Sequence, residues 1–188
     1  MTEQLKYLLK SIANFDDKEL DKISNCFESR LVKKSRILLS EGEVCKEFYY
    51  VKKGCLRTYF ITKQGHEKTR LVAADCSIGT ALASFISQRP SLEFIDTLED
   101  TELLTMSHTH FYQLNKELIH WKEFYQRILE MAYSFQNKSF ENLVTLSAKE
   151  RFEEVLEYNP QLIQRLSNKV LASYLDITQE TLSRLKSK

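Results

Sequence analysis

The hydrophobic positions along this chain of 188 residues change their spacing twice, which divides the sequence into three regions. From Leu5 to Phe27 they recur every three or four residues, with an interruption by cap-type residues near Asp16, so two short amphipathic helices are predicted. From Ser29 to Ser107 they fall in short β-branched and aromatic runs. After Ser107 the helical spacing returns and continues to the end of the chain.

The middle region has the pattern of an antiparallel sheet. Its apolar runs are separated by turn signals at Gly42, Gly54 and Gly65, each beside charged or amide residues. Short strands at such regular intervals predict an antiparallel β-roll. The predicted strands are Arg36–Leu39, Phe48–Val51, Leu56–Thr62, Thr69–Ala73, Leu92–Leu98 and Leu103–Met106.

The segment from Ile119 to Leu146 contains no proline or glycine and is predicted to form one long helix. Five apolar residues fall at alternating steps of three and four, the spacing of a coiled-coil seam. These residues are Trp121, Phe124, Ile128, Met131 and Phe135. Such a helix can be buried on both sides within one chain. Because the roll offers only one surface to cover, we instead expect the helix to make two different contacts. A second apolar stripe, which includes Tyr125, would cover the roll, and the seam would form a homodimer.

The end of the chain has the pattern of a helix, a short turn and a second helix. Ser167 and Thr178 are cap-competent residues, each followed by about two turns of helix-compatible sequence. Apolar side chains would pack the two helices together and leave the polar residues of the second helix exposed. Those polar residues are Gln179, Glu180, Ser183, Arg184 and Lys186. A helix that presents such groups suits the major groove of DNA, and the alternative is a plain packing unit with a solvated face.

The distribution of charged residues predicts a basic surface only at the C-terminal end of the chain. The net charge is +1, so the molecule as a whole gives no sign of nucleic-acid binding. From Gln161 onward, however, five basic residues stand against the two acidic residues Asp176 and Glu180. The basic residues are Arg165, Lys169, Arg184, Lys186 and Lys188. No apolar stretch follows a basic start, so we expect no signal peptide, no membrane span and a cytoplasmic location.

A metal site is an alternative function, but the cysteine and histidine residues of the chain give it little support. The spacing of Cys26, Cys45, Cys55 and Cys76 matches no zinc or redox motif, and reduced thiols are expected rather than an iron–sulfur cluster. His108-Thr109-His110 has the His-x-His pattern of cupin-like metal enzymes, but the nearest downstream carboxylate lies on a predicted helix. We expect no metal, no cofactor and no enzymatic activity.

The stretch from Leu171 to Arg184 resembles the helix-turn-helix of the cyclic-AMP receptor protein and FNR (Crp/Fnr) family of bacterial transcription regulators. The order of roll, long helix and helix-turn-helix is also similar over essentially the whole chain. The resemblance implies an α+β fold with a cyclic-nucleotide-binding-like roll over residues 1–117, a dimerisation helix over 118–146 and a DNA-binding domain over 147–188. It implies a homodimer that binds a two-fold symmetric operator in double-stranded DNA, with RNA polymerase and an unknown small-molecule effector as further partners.

The same resemblance assigns the DNA contacts. The family reads bases with residues that align to Gln179, Glu180 and Arg184. Their chemistry agrees, since arginine pairs with guanine, glutamine with adenine, and glutamate accepts from cytosine. Phosphate contacts are expected from five polar residues. These are Ser167, Lys169, Thr178, Ser183 and Lys186.

The sequence departs from the family pattern at several positions. Asp176 stands between the two helices where glycine is usual, in a left-handed turn that aspartate tolerates better than most residues. The chain stops at Lys188, so the β-wing of many members is not expected. Cyclic-AMP binders place Arg-Ser where this chain has Ser91-Leu92, so a cyclic phosphate would lack its charge partner. An effector other than cyclic AMP, or none, is expected.

A sensor or adaptor that keeps the roll and the dimer helix without binding DNA is the remaining alternative. The missing wing and the nearly neutral charge favour it. Salt-dependent binding to duplex DNA distinguishes it from a regulator.

Overall fold

The short apolar runs of the middle region form strands, and the helical spacing on either side forms helices, in the computed structural model, which describes residues 2–187. The strands are β1 Glu28–Val32, β2 Ile37–Leu39, β3 Glu47–Lys53, β4 Leu56–Ile61, β5 Glu67–Ala73, β6 Ser77–Ile78, β7 Phe94–Thr97 and β8 Thr101–Ser107. The helices are α1 Glu3–Ile12, α2 Asp17–Asn25, α3 Leu82–Ser87, α4 His108–Glu117, α5 Ile119–Thr145, α6 Ala148–Tyr158, α7 Pro160–Arg165, α8 Asn168–Tyr174 and α9 Gln179–Lys186. The predicted α+β class is confirmed.

The strands pair in two four-stranded antiparallel sheets, in the orders β1-β8-β3-β6 and β2-β7-β4-β5. This is the predicted antiparallel roll. Apolar side chains of both sheets meet inside it, where Tyr50, Ile95 and Leu103 are fully buried. The sequence pattern did not predict β1 or β6, because only Val32 of β1 is buried and β6 is two residues long.

The turn between β3 and β4 depends on Gly54. Its φ of +113° lies in a region that residues with a Cβ rarely adopt. A Cβ at this position would also lie 2.5 Å from the Oγ1 of Thr101. The Gly54 N–H donates to the Asp75 carboxylate over 2.6 Å, so this predicted turn also orients an acidic side chain.

The N-terminal half of α5 packs into the chain's own core, against Phe15 and α4, with the stripe that the sequence assigned to a dimer. Trp121, Phe124 and Ile128 belong to the chain's own core and are at most 7% exposed. The prediction that these three side chains face a partner is therefore wrong, because they have almost no free surface to offer. Met131 and Phe135 are 58% and 38% exposed, and their place in a dimer interface stays a prediction.

The N-terminal helices supply part of the surface that covers this stripe of α5. The ring of Phe15, between α1 and α2, contacts the rings of Trp121 and Phe124. The Glu19 carboxylate lies 2.8 Å from the Nδ1 of His120, and this hydrogen bond raises the histidine pKa above its ordinary value. The N-terminal helices and α4 thus cover the apolar stripe of α5 together.

Candidate nucleic-acid interface

Helices α8 and α9 form the predicted helix-turn-helix, and both begin at the predicted caps. The Ser167 hydroxyl accepts from the Val170 N–H over 3.3 Å, and the Thr178 hydroxyl accepts from the Thr181 N–H over 3.2 Å. Each cap satisfies one of the N–H groups that a helix leaves unpaired at its start. Leu182 of α9 is fully buried in the apolar cluster that includes α8. The local sequence is thus sufficient to define both helix starts.

The turn between the two helices has the left-handed residue that the sequence predicted. Asp176 has a φ of +53°. The Arg151 guanidinium of α6 supports this turn, because its Nε donates to the Leu175 carbonyl over 2.9 Å. Its Nη1 donates over 2.6 Å to the carbonyl of Leu146, at the end of α5. Arg151 therefore joins the end of the long helix to the turn.

The exposed face of α9 contains the side chains expected to contact DNA. Gln179, Glu180, Ser183, Arg184 and Lys186 are all exposed. Arg184 donates to the Thr181 hydroxyl over 3.3 Å, and Lys186 donates to the Asn168 side-chain oxygen over 2.8 Å. Neither cation forms an ion pair with a carboxylate among residues 2–187. Their full positive charge is therefore available at this face.

The other helix, α8, is docked onto the roll along β5. The Thr69 N–H donates to the Ser173 hydroxyl over 2.8 Å, and that hydroxyl donates to the Glu67 carbonyl over 2.8 Å. The Lys169 ammonium lies 2.7 Å from the Glu67 carboxylate. Lys68 forms a further ion pair with Asp176. One edge of the helix-turn-helix is therefore fixed to the roll.

Ion pairs of Arg165 extend this contact to the far end of the roll. Its guanidinium lies 2.8 Å from Asp75, contacts Glu99 and donates over 2.8 Å to the Gly54 carbonyl. The hydrogen bond with Glu99, opposed by partial burial, raises the Arg165 pKa. Burial alone would raise the Asp75 pKa, but hydrogen bonds from Arg165 and the Gly54 N–H lower it overall. Arg165 is thus a structural cation.

The predicted basic surface is therefore smaller than the sequence suggested. Arg165 and Lys169 are paired with carboxylates of the roll, which the local charge count did not include. Arg184 and Lys186 have no carboxylate partner within the described range 2–187, and Lys188 lies outside that range. Glu67, Asp75, Glu99 and Ser173 were not among the predicted functional residues, because nothing in their local sequence indicates a contact made across the fold.

An apolar cluster completes the contact between the roll and the C-terminal helices. Leu166, Val170 and Leu171 pack with Cys55 of the β3–β4 turn. Partly buried side chains of the roll, which include Val72, lie against the same cluster. Burial raises the pKa of the Cys55 thiol to about 12, so this cysteine stays protonated and apolar in its behaviour.

The residues aligned with the phosphate position of cyclic-AMP binders, Ser91 and Leu92, are uncharged. Ser91 is buried, and its hydroxyl accepts from the Glu93 N–H over 2.9 Å, while Leu92 is exposed. The Glu93 carboxylate is buried two residues further on and pairs with Arg70. Arg89, the nearest basic residue in sequence, is exposed on the loop after α3. A cyclic phosphate beside Ser91 and Leu92 would therefore find no cation in these two residues, and Arg70 nearby is already paired with Glu93.

We predict that cyclic AMP does not bind the roll at physiological concentration and is not needed for DNA binding. A cyclic phosphodiester is a permanent anion that recovers its desolvation cost only from paired donors and a cation. Titration calorimetry with cyclic AMP and cyclic GMP measures this directly. A dissociation constant in the low micromolar range or tighter, abolished by Arg89→Ala, would contradict the prediction and identify Arg89 as the phosphate ligand.

A cleft of about 650 Å³ opens between β5, the C-terminal half of α5, α6 and α8. This volume is in the range of small-molecule sites. Lys68 in its wall is paired with Asp176, and Lys138 lies 3.7 Å from Glu154. A ligand in this cleft would therefore meet aromatic side chains and existing ion pairs.

The residues of the metal-enzyme alternative do not converge. No group of three or more potential metal ligands comes together among residues 2–187. Burial raises the pKa of the Cys45 thiol to about 11, which disfavours the thiolate that a metal requires. The ring of His108 packs against Tyr112, with the ring centroids 4.5 Å apart, and partial burial lowers the pKa of the histidine.

Comparisons with known proteins show which domain family the roll is similar to and which structures the whole fold is similar to. Residues 29–117 match the sequence profile of the cyclic nucleotide-binding domain family. The roll is therefore similar to this domain family over those residues. No curated protein matches the sequence. Among the described residues, no helix is long and apolar enough to cross a membrane.

The complete fold is that of the Crp/Fnr transcription regulators. A protein from Eubacterium rectale described as a regulator of the Crp/Fnr family shares 20% identity over 92% of this chain and 82% of its own, with a TM-score of 0.72. FixK2 of Bradyrhizobium japonicum shares 16% identity over 86% of this chain and 83% of its own, with a TM-score of 0.73. The catabolite activator protein of Thermus thermophilus shares 19% identity over 93% of this chain and 83% of its own, with a TM-score of 0.61. The predicted resemblance is confirmed at the level of the fold.

Proposed function

We propose that the chain is a cytoplasmic, homodimeric transcription regulator of the Crp/Fnr type that binds a two-fold symmetric DNA site. The observation that carries this proposal is the exposed face of α9, where Gln179, Glu180 and Arg184 lie on a capped helix beside the unpaired Lys186. Arginine and glutamine read guanine and adenine in the major groove. Ser167, Lys169, Thr178, Ser183 and Lys186 are the proposed phosphate contacts, with Lys169 using the N–H donors of its ammonium that Glu67 does not occupy.

We place the proposed dimer interface on the C-terminal half of α5, because the N-terminal half is buried within the single chain. Apolar side chains on this half are exposed in the single chain, and a partner helix would remove from water those that share one face, such as Tyr133, Phe140 and Val144. The exposed apolar side chains are Met131, Tyr133, Phe135, Phe140, Leu143 and Val144. Two copies joined there would each present one α9, and half-sites about 34–36 Å apart fit successive major grooves. RNA polymerase is the proposed further partner, and no enzymatic activity is proposed.

Selection of bound duplexes from a random pool tests DNA recognition. We predict that Arg184→Ala loses roughly 1–3 kcal/mol on the selected site and relaxes preference at one base of each half-site. The reason is that a bidentate arginine–guanine pair would be lost. Binding is measured by fluorescence anisotropy on the selected duplex and on single-base variants of it.

Lys186→Ala is the matched control, because a phosphate contact weakens all sequences alike. An equal loss on every sequence for Arg184→Ala would make Arg184 a phosphate contact only. Absence of salt-dependent binding by the unmutated protein would favour the sensor or adaptor alternative.

A further inference from the structure

We propose that the tip of the β4–β5 hairpin, Thr62–His66, is a second DNA-binding element that contacts the phosphate backbone beside each half-site. The proposal rests on the DNA-binding function proposed above. It assigns a role in nucleic-acid binding to the sensor roll itself. Lys63 is the side chain that would make the contact.

The hairpin and the first helix of the helix-turn-helix run side by side in the same direction. Ser173 is bound to both Glu67 and Thr69, so it lies beside β5 between these two residues. Lys169 precedes Ser173 by about 6 Å along the helix and binds Glu67, the one of the two that is nearer the hairpin tip. The residues that precede Glu67, which form the hairpin tip, therefore extend beyond the position of Lys169 in the direction of the N-terminal end of α8.

The first helix of a helix-turn-helix crosses the DNA backbone when the second helix lies in the major groove. Lys169 of that helix is a proposed phosphate contact and lies 2.7 Å from Glu67. The hairpin tip begins at the next residue, His66, within about 10 Å of this contact at strand spacing. A duplex that touches Lys169 would thus pass close to the tip.

The tip has the charge and the rigidity that a phosphate contact requires. Lys63 is exposed and has no ion-pair partner in the described part of the chain, and the tip contains no acidic residue. The Thr62 N–H donates to the His66 carbonyl over 2.9 Å, and the Gly65 N–H donates to the Thr62 carbonyl over 2.8 Å. The adjacent carboxylate, Glu67, is paired with Arg57 and Lys169, so it does not cancel the charge of Lys63.

Salt titration of DNA binding tests this proposal with the full-length protein and a duplex selected by it. Each neutralised phosphate adds about 0.9 to the slope of log affinity against log salt concentration. Lys63→Ala should therefore lower the magnitude of the slope by about two for the dimer. Lys18→Ala is the matched control, because Lys18 is an exposed lysine on α2, and its slope should equal that of the unmutated protein.

Neutral methylphosphonate groups, placed at one phosphate at a time, locate the contact. We expect one position in each half-site where the substitution weakens the unmutated protein but has no effect on Lys63→Ala, since coupled losses identify interacting groups. Equal slopes for the unmutated protein and Lys63→Ala would overturn the proposal while DNA binding stands. Failure of the unmutated protein to bind any duplex would overturn the proposed function as well. Loss of transcription with unchanged DNA affinity would assign the tip to a protein partner and reject the DNA contact.

Discussion

Replacing Trp121 with alanine is expected to lower the free energy of unfolding of each protomer by about 3–5 kcal/mol. The indole is fully buried, and its N–H donates to the Phe111 carbonyl over 3.1 Å. Its ring contacts those of Phe15, Phe111 and Phe124, so truncation leaves a cavity where helices α1, α4 and α5 meet. Urea denaturation followed by far-UV circular dichroism measures the loss, and it should be the same at high and low protein concentration.

Phe140→Ala is the matched substitution on the exposed half of the same helix. Phe140 is 65% exposed, so the stability of the single protomer should change by less than about 0.5 kcal/mol. Its effect should appear in the monomer–dimer equilibrium, which sedimentation measures. The opposite pattern, with dimer dissociation by Trp121→Ala and unchanged protomer stability, would restore Trp121 to the dimer interface and contradict the prediction.

Arg57→Ala is expected to cost a similar amount, about 3–5 kcal/mol, because it leaves partly buried carboxylates without their partner. The Arg57 side chain is 7% exposed and binds Asp96 through Nε at 3.0 Å and Nη2 at 2.6 Å. Its Nη1 donates to Glu67 over 2.6 Å, and its guanidinium lies 3.9 Å from the ring centroid of Tyr59. Chemical denaturation of the variant and the unmutated protein at neutral pH measures the difference.

Two variants define the origin of this loss. Arg57→Lys should recover only part of the stability, since an ammonium cannot reproduce the two-pronged contact with Asp96. Arg127→Ala removes an arginine that is 66% exposed and paired with Glu130, and it should cost at most about 1 kcal/mol. A loss for Arg57→Ala as small as that for Arg127→Ala would show that the carboxylates find other partners or water.

The helix-turn-helix was predictable because its determinants are local. Ser167 and Thr178 cap the helices that directly follow them, and Asp176 adopts the left-handed conformation that the short turn requires. The roll was predictable for a similar reason, since short apolar runs and turn glycines are visible in the sequence. Each of these signals depends on neighbours within a few residues.

The burial of α5 was not predictable in the same way. Spacing identified an apolar stripe at Trp121, Phe124 and Ile128 but carried no information about which surface would cover it. The covering groups come from distant segments, with Phe15 from the N-terminal helices and Phe111 from α4. The contacts between Glu67 and the helix-turn-helix join residues more than 100 positions apart, and a local charge count cannot include them.

The docking of α8 along β5 has a consequence for chimeric regulators. A chimera cut at the start of α5 would separate Ser173, Lys169 and Asp176 from Thr69, Glu67 and Lys68, to which they are bound here. Its helix-turn-helix would keep the fold given by its own caps and core but would lose the orientation that the hairpin imposes. A roll from another protein that is joined to these helices must therefore bring a hairpin with matching side chains at these three positions. The unit to transplant consists of the hairpin together with the helices that contact it.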